Sequence, residues 1–298
     1  MTKQELSALI AELLQEMTPA PQVKGGEYKP ADPGPQQRQD TGAVEDITAL
    51  DLRKLYLVEN PQKEAEYRRL KERTPARLGM GRAGARYKTL TMLRFRADHA
   101  AAQDAVFSEL PEDFGEKNGM ISVVTKCENK EQYLTRPDLG RGFSEETAQF
   151  LKQQVKQGVQ VQLVVGDGLS SAAIAANAMD CLQTICDGLK LRGIEASQPI
   201  FVKYCRVGAG DAIGDITGCK LVCMLVGERP GLVTDKSMSA YLTYDPHIGS
   251  SESSRTVVSN IHAQGTTPVE AGAYIAELIE TILKRKVSGV QLRMEGSV

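Results

Sequence analysis

The chain has 298 residues, which suits one large domain or two ordinary ones. Hydrophobic residues make up 41% and charged residues 25%, as in an average soluble protein, and a formal net charge of −2 argues against general polyanion binding. No apolar run reaches the roughly 18 residues of a membrane helix. The first residues lack the pattern of a secretion signal, and six Cys without a C-x-x-C pair predict reduced thiols in the cytoplasm.

Residues 1–17 have the spacing of an amphipathic helix, with Thr2 and Glu5 placed as a capping box. Its apolar face comprises Leu6, Leu9, Ile10, Leu13, Leu14 and Met17. Residues 18–46 are rich in Pro and Gly at their start and predict a disordered linker. Such a helix either docks into a groove on a partner or packs back onto its own domain, and the long linker favours docking.

Residues 47–115 are predicted to be a helical region. A charged helix is expected over 51–74 with a break near Pro61, and Thr74-Pro75 has the form of a helix start. Three glycines then interrupt the pattern, namely Gly79, Gly81 and Gly84. A second helix is expected from Tyr87 to about residue 110.

The segment from Arg53 to Arg96 is strongly basic, with thirteen Lys or Arg and four Glu. This excess indicates an anionic partner, which could be nucleic acid, phosphate or an acidic protein surface. Sparse aromatic residues and the lack of a zinc or RNA-binding signature argue against nucleic acid. A solvated helix face is the alternative for most of these charges.

From about Met120 onward, strands and helices alternate. Strands are predicted at 120–128, 159–168, 199–207, 219–231 and 237–246, and helices at 144–158, 169–193 and 267–286. Alternation of this kind predicts an α/β fold: a Rossmann-like, mostly parallel sheet with helices on both faces, preceded by the helical N-terminal region.

Ligands of such sheets bind at the carboxyl ends of the strands. Three turns are expected there, at 166–171, 206–215 and 226–231. Glycine in the first two would let a ligand approach the backbone, although neither is a dinucleotide-binding or Walker motif and a tight structural turn is the alternative. In the third turn, Glu228 is placed to accept hydrogen bonds from amides or hydroxyls, or to form a surface turn with Arg229.

A self-contained active site has little support in the sequence. There is no G-x-S-x-G motif for a nucleophilic serine, and His99, His247 and His262 show no metal-binding spacing. Cys205, Cys219 and Cys223 lie in or beside apolar strands and are predicted to be core residues. We therefore predict a ligand-binding α/β subunit with no catalytic residue and no metal site of its own.

Five segments, taken together, resemble the small (light) subunit of ethanolamine ammonia-lyase. They are 74–106, 164–171, 210–232, 237–246 and 255–275, including GDAIGDITGCKLVCMLVGERPGL and RTVVSNIHAQGTTPVEAGAYI. The resemblance implies an adenosylcobalamin-dependent lyase that converts ethanolamine to acetaldehyde and ammonia by a radical rearrangement. It also implies a large catalytic subunit as partner, with residues 116–298 forming the cobalamin-binding domain.

Carried over by position, the family's cobalamin contacts fall on Val207, Glu228 and Val257. Related sequences can hold Cys at the third place, so a backbone contact would persist here whereas a thiol contact would not. The D-x-H-x-x-G motif of base-off cobalamin proteins is missing around His247, as it is in the family, so no cobalt ligand is predicted.

The resemblance also suggests functions for the two N-terminal regions. The helical region 47–115 would form the interface with the large subunit, with Arg82, Arg86, Arg94 and Arg96 pairing with acidic partner residues. The helix over 1–17 would direct the enzyme to the shell of a bacterial microcompartment in the cytoplasm. Neither nucleic acid nor a membrane is an expected partner.

Overall fold

The computed structural model describes residues 46–295. The predicted helix over 1–17 and all but the last residue of the predicted linker over 18–46 lie outside the described residues. The described part begins with a 3-10 turn at Ile47–Ala49, followed by helix α1 at Glu64–Lys71. A two-stranded hairpin then joins β1, Arg82–Ala83, to β2, Arg86–Tyr87, and leads into the long helix α2 at Thr89–Phe107.

This N-terminal region is less helical than predicted. Residues 51–60 form turns and extended chain, because they lie against the glycine segment: the Leu57 amide donates to the Gly79 carbonyl at 2.7 Å. A Cβ on Gly79 would come within 2.5 Å of the Tyr56 ring, so the glycine permits this close approach. The helix start expected at Thr74-Pro75 is also wrong, whereas the helix expected from Tyr87 is confirmed as α2.

The main element is a six-stranded sheet. Its strands are β3 Ile121–Val124, β4 Val161–Gly166, β5 Ile200–Lys203, β6 Leu221–Gly227, β7 Met238–Tyr244 and β8 Arg255–Ile261. They are arranged in the order β3-β5-β4-β6-β7-β8. The first four run parallel, and β7 and β8 add two antiparallel strands at one edge. The predicted α/β class with a mostly parallel sheet is confirmed.

The remaining helices connect and cover the sheet. They are α3 Phe114–Lys117, α4 Lys130–Thr135, α5 Glu145–Gln154, α6 Ser171–Leu191, α7 Ala209–Thr217, α8 Pro268–Arg285 and α9 Val290–Glu295. The 3-10 turns at Leu139–Arg141 and Glu252–Ser254 complete the described elements. Within residues 46–295, no helix combines the length and apolar character needed to span a bilayer.

Two hydrophobic cores lie on opposite faces of the sheet, because side chains alternate along each strand. On one face, Leu163 of β4 packs in the same cluster as side chains of α6 and α8. On the other, Val164 packs in a cluster with Leu151 of α5 and Ile213 of α7. The predicted helices on both faces are therefore present.

Capping residues define the helix starts as the sequence indicates. The Ser144 hydroxyl accepts from the Thr147 amide at 3.1 Å, and Thr267 and Glu270 form a complete capping box at the start of α8. Helix α7, where a glycine turn is expected, and strand β8 at the edge of the sheet were not predicted. The short helices α4 and α9 and the β1–β2 hairpin were not predicted either.

Candidate functional site

The three predicted turns do share one edge of the sheet. Strands β4, β5 and β6 are parallel and adjacent in register, so their carboxyl ends, at Gly166, Lys203 and Gly227, point the same way. The connection from β4 leads through α6 to β5 on one side of β4, and the next leads through α7 to β6 on the other side. This change of direction is where α/β sheets bind ligands.

The first turn, 166–171, packs against the third turn, 226–231, and is not open to a ligand. The Leu169 amide donates to the Gly227 carbonyl at 3.0 Å, and the Ser170 hydroxyl donates to the Asp235 carbonyl at 2.6 Å. A Cβ on Gly227 would come within 2.0 Å of the Ser170 carbonyl oxygen. The glycine is required by this contact between two chain segments, so the structural alternative holds for the first turn.

The second turn is largely helix. Val207 lies between β5 and α7, is half-buried and packs against the core on the α7 face of the sheet. The first turn of α7 carries Asp211, whose Oδ2 accepts a hydrogen bond at 2.6 Å from the guanidinium of Arg255 on β8. Both side chains are buried, so this ion pair joins the helix that follows Val207 to the strand that carries Val257.

The third turn holds Glu228 in a defined position. Its amide donates to the Ser237 carbonyl at 3.0 Å, and its Oε1 accepts from the Tyr241 hydroxyl at 2.6 Å. Burial, with the hydrogen bond to Glu228 as the next cause, raises the pKa of Tyr241 above its ordinary value. The Tyr241 hydroxyl therefore stays protonated at neutral pH and donates to the carboxylate.

Val257 lies on the same face as Tyr241. The two residues are register partners in the antiparallel pair of β7 and β8, so their side chains project from one side of the sheet. Tyr241 packs against the same core as Val207, and Val257 remains 40% exposed. The structure thus puts the three predicted contact positions on the α7 side of the sheet, with Val257 at mid-strand and Glu228 just beyond the end of β6.

We call the part of this face formed by Glu228, Ser239, Tyr241, Val257 and Ser259 the open face. A cavity of about 600 Å³ lies beside it, lined by Glu228, Ser237, Ser239 and Ser259 among other residues. The Ser239 side chain is buried, yet its hydroxyl has no hydrogen-bond partner in the described part of the chain. An unpaired buried hydroxyl at a cavity is unfavourable unless water or a ligand group pairs with it, so the residues are compatible with a cofactor that has polar groups at its edge.

The three cysteines lie in the core, as the sequence predicts. Cys205, Cys219 and Cys223 are buried core residues without disulfide partners, and burial raises the pKa of each thiol. A buried thiol with a raised pKa is a poor nucleophile. His262 lines the cavity beside Glu228, and burial lowers its pKa.

Four residues of the site were not predicted from the sequence: Ser239, Tyr241, Asp211 and Arg255. A signal existed for the first two, because 237–246 is predicted as a strand and alternation places both on one face. The Asp211–Arg255 pair joins residues 44 positions apart across two elements that were not predicted, so no local pattern could reveal it.

The described residues form a mixed α/β fold whose candidate site is one sheet face beside a mainly apolar cavity with a few polar groups. Comparison with known proteins specifies the class further. The family model for ethanolamine ammonia-lyase light chain (EutC) matches residues 64–293, and the chain belongs to this family.

Curated relatives agree with this assignment. The ethanolamine ammonia-lyase small subunit of Clostridioides difficile (strain 630) is 58% identical over 254 residues, which cover 85% of this chain and 87% of the relative. That of Clostridium perfringens is 51% identical over 295 residues, covering 98% of this chain and 100% of the relative. That of Listeria monocytogenes (serotype 4a, strain HCC23) is 50% identical over 293 residues, covering 98% and 100%.

Proposed function

We propose that this chain is the small subunit of an adenosylcobalamin-dependent ethanolamine ammonia-lyase, which converts ethanolamine to acetaldehyde and ammonia. The family assignment supports the lyase, and the relatives' name, small subunit, supports a large-subunit partner. The single observation that carries the cofactor part is the shared sheet face of Val207, Glu228 and Val257. The three positions, spread over 51 residues of sequence, lie on one side of the sheet, and Glu228 among them lines a cavity beside the unpaired buried hydroxyl of Ser239.

Each residue has a distinct task in this proposal. Glu228 accepts hydrogen bonds from amide or hydroxyl groups at the edge of the cofactor, while Val207 and Val257 provide apolar contact. The chemistry supplied by bound adenosylcobalamin is homolytic cleavage of its Co–C bond, which yields the radical for the rearrangement. The open face covers one side of the site and keeps water and oxygen from it, and a catalytic residue within this chain is not part of the proposal.

The large subunit holds the substrate in this proposal, and residues 47–115 form the interface with it. Helix α2 exposes Met92, Leu93, Phe95 and Phe107, which supports a partner on this surface. Fewer basic residues are available for this interface than the sequence suggests, since several form ion pairs within the chain. Arg94 in particular binds Asp98 and the carbonyls of Ile47 and Leu50 and is only 11% exposed, so Arg82, Arg86 and Arg96 are the better candidates for pairing with the partner.

This internal pairing also weakens the alternative of a nucleic-acid-binding surface over 53–96. Arg77 pairs with Asp98, Lys88 with Glu59, and Lys71 is fully buried. A salt-dependent affinity for DNA or RNA would favour the alternative, because phosphate contacts release counterions.

Turnover tests the proposal directly. The purified chain, the large subunit and their mixture are assayed with adenosylcobalamin and ethanolamine. We expect acetaldehyde and ammonia only from the mixture. Turnover by this chain alone would contradict the proposed division of work between the subunits.

Glu228→Gln tests the cofactor contact. We expect the complex with the variant to retain its fold, by circular dichroism and unfolding temperature, but to bind cobalamin about tenfold more weakly, because a charged acceptor is replaced by a neutral one. Glu277→Gln, the same chemical change at an exposed position of α8 outside the cavity lining, is the matched control. An unchanged cobalamin affinity in Glu228→Gln would remove this residue from the site.

We also propose that residues 1–17 direct the enzyme to the shell of a bacterial microcompartment, with 18–46 as the linker. Deletion of residues 1–20 should leave activity with the large subunit unchanged and abolish enclosure, measured by co-sedimentation with purified shells. Loss of soluble protein on deletion would instead favour a helix that packs onto its own domain.

A further inference from the structure

The hydrogen bond from Tyr241 orients the Glu228 carboxylate, which can still accept further hydrogen bonds. The Tyr241 hydroxyl donates to Oε1 at 2.6 Å. Within the described part of the chain, the other oxygen, Oε2, has no hydrogen-bond partner. A carboxylate oxygen accepts more than one hydrogen bond, so Glu228 presents a preoriented acceptor beside the cavity.

Ser239 presents a complementary donor close to this acceptor. Ser239 is the register partner of Val226, and Glu228 lies two residues after Val226, just beyond the end of β6. Diagonal neighbours of this kind in an antiparallel pair have Cβ atoms about 7 Å apart. Ser239 is only 1% exposed and lines the cavity, and its hydroxyl is unpaired within residues 46–295.

A carboxylate that accepts and a hydroxyl that donates, side by side, match the two ends of a primary amide. The amide NH2 donates to Glu228, and its carbonyl oxygen accepts from the Ser239 hydroxyl. A carboxylate or phosphate in the same place would be repelled by the Glu228 charge. The geometry points to a primary-amide subsite formed by Glu228 and Ser239, in which Tyr241 is a positioning residue for the Glu228 carboxylate.

The inference rests on the proposed function, because the rim of a corrin ring carries primary amide side chains. It adds two residues to the three contacts carried over from the family and states which chemical group they recognise. Ser239 contacts the ligand directly, whereas Tyr241 acts through Glu228.

The test measures equilibrium binding of two kinds of corrinoid to the complex of this chain with its large subunit. The probes are cyanocobalamin and its monocarboxylate derivatives, in each of which one primary amide is hydrolysed. We expect the wild-type complex to bind at least one monocarboxylate isomer about tenfold more weakly than cyanocobalamin. In Glu228→Gln this discrimination should disappear, because the repelling charge is gone.

Tyr241→Phe and Ser239→Ala should each weaken cyanocobalamin binding about fivefold, as expected for one lost hydrogen bond. Tyr244→Phe, on the same strand, and Ser122→Ala, an equally unpaired buried hydroxyl on strand β3 at the other edge of the sheet, are the matched controls. Both controls should bind like the wild type. Ser239→Ala should not lower the unfolding temperature of the chain, because the free protein loses no hydrogen bond in this variant.

The outcomes separate this inference from the proposed function. If the wild-type complex binds cyanocobalamin but Tyr241→Phe and Ser239→Ala bind it equally well, the amide subsite is overturned and the cofactor proposal stands. Equal binding of every monocarboxylate isomer by the wild type would overturn the subsite in the same way. A wild-type complex that binds no corrinoid at all would overturn the proposed function and the subsite with it.

Discussion

Replacement of Asp211 by Asn should strongly destabilise the domain. The Arg255 guanidinium donates to Asp211 at 2.6 Å, and the two side chains are only 3% and 8% exposed. Arginine remains charged at any pH that a folded protein meets, so Asp211→Asn leaves the buried Arg255 cation with only the exposed Glu252 carboxylate, at 3.2 Å, as counterion. Breaking a buried pair by removing one partner costs about 3–5 kcal/mol.

The size of this effect can be measured by urea unfolding followed by circular dichroism. At about 2–4 °C per kcal/mol for a domain of this size, a loss of about 3 kcal/mol also lowers the unfolding temperature by about 6–12 °C. Lys284→Met is the control, because Lys284 pairs with Glu280 on the surface and is 72% exposed, and its loss should cost less than about 1 kcal/mol. The double change Asp211→Leu with Arg255→Met should cost less than Asp211→Asn alone, because no charge is left buried.

The reasoning would be refuted if Asp211→Asn were no more destabilising than Lys284→Met. It would also be refuted if the double change cost the sum of its single changes, since independent losses would exclude coupling between the two charges.

Two further predictions concern residues outside the open face. Burial lowers the pKa of Lys71 below its ordinary value of 10.5, so between the lowered pKa and 10.5 the unfolded chain binds more protons than the folded one. The free energy of unfolding should therefore rise with pH through that window. Urea unfolding at several alkaline pH values measures this rise, and Lys71→Met should make it smaller. An unchanged dependence on pH in the variant would contradict the lowered pKa of Lys71. Gly272→Ala should destabilise the domain by about 1–3 kcal/mol, because a Cβ there would come within 2.7 Å of the Thr184 Cβ, where α8 crosses α6. Gly231→Ala, where a Cβ would have no neighbour within 4 Å, is the control, and equal unfolding midpoints for the two variants would contradict the packing argument.

Fully buried strands and capped helices were the parts of the fold that the sequence predicted well. Every residue of β4 and β6 is buried, so β6 forms a continuous apolar run and β4 an apolar run interrupted only by Gln162, and local pattern detects both. The capping box at Thr267 likewise marks the start of α8 within a few residues. In both cases the signal is local in the chain, and the tertiary structure agrees with it.

Helix α7 was missed because its glycines have a tertiary cause. Gly210 and Gly214 favour the prediction of a tight glycine turn over residues 206–215. In the structure, a Cβ on Gly214 would come within 2.3 Å of the Pro246 carbonyl oxygen, and one on Gly210 within 3.3 Å of Val222. These glycines let the helix lie close to the sheet and to the neighbouring loop, which no sequence pattern distinguishes from conformational freedom.

Strand β8 was not predicted for a different reason, namely the exposure of most of its residues. Only Arg255 and Ile261 are buried in it, and the residues between them are exposed or half-buried. An edge strand with one open face lacks the apolar run of a central strand, and its first buried side chain is a charged one. The exposure of β8 side chains on the open face is thus the reason why the sequence pattern does not indicate this strand.

The candidate contact residues and the residues that support them contribute differently to the stability of the fold. Val257 is exposed on β8, and Glu228 has an oxygen without a partner in the described residues, so neither is needed by the core. Tyr241, Asp211 and Arg255 hold the surrounding elements together through buried or half-buried bonds. A change at Val257 should therefore alter what the face binds with little effect on folding, whereas a change at Asp211 should first weaken the fold and the site only as a result. Because Val257 lies on a strand fixed by its neighbours, the backbone there keeps its place whatever small side chain the position carries.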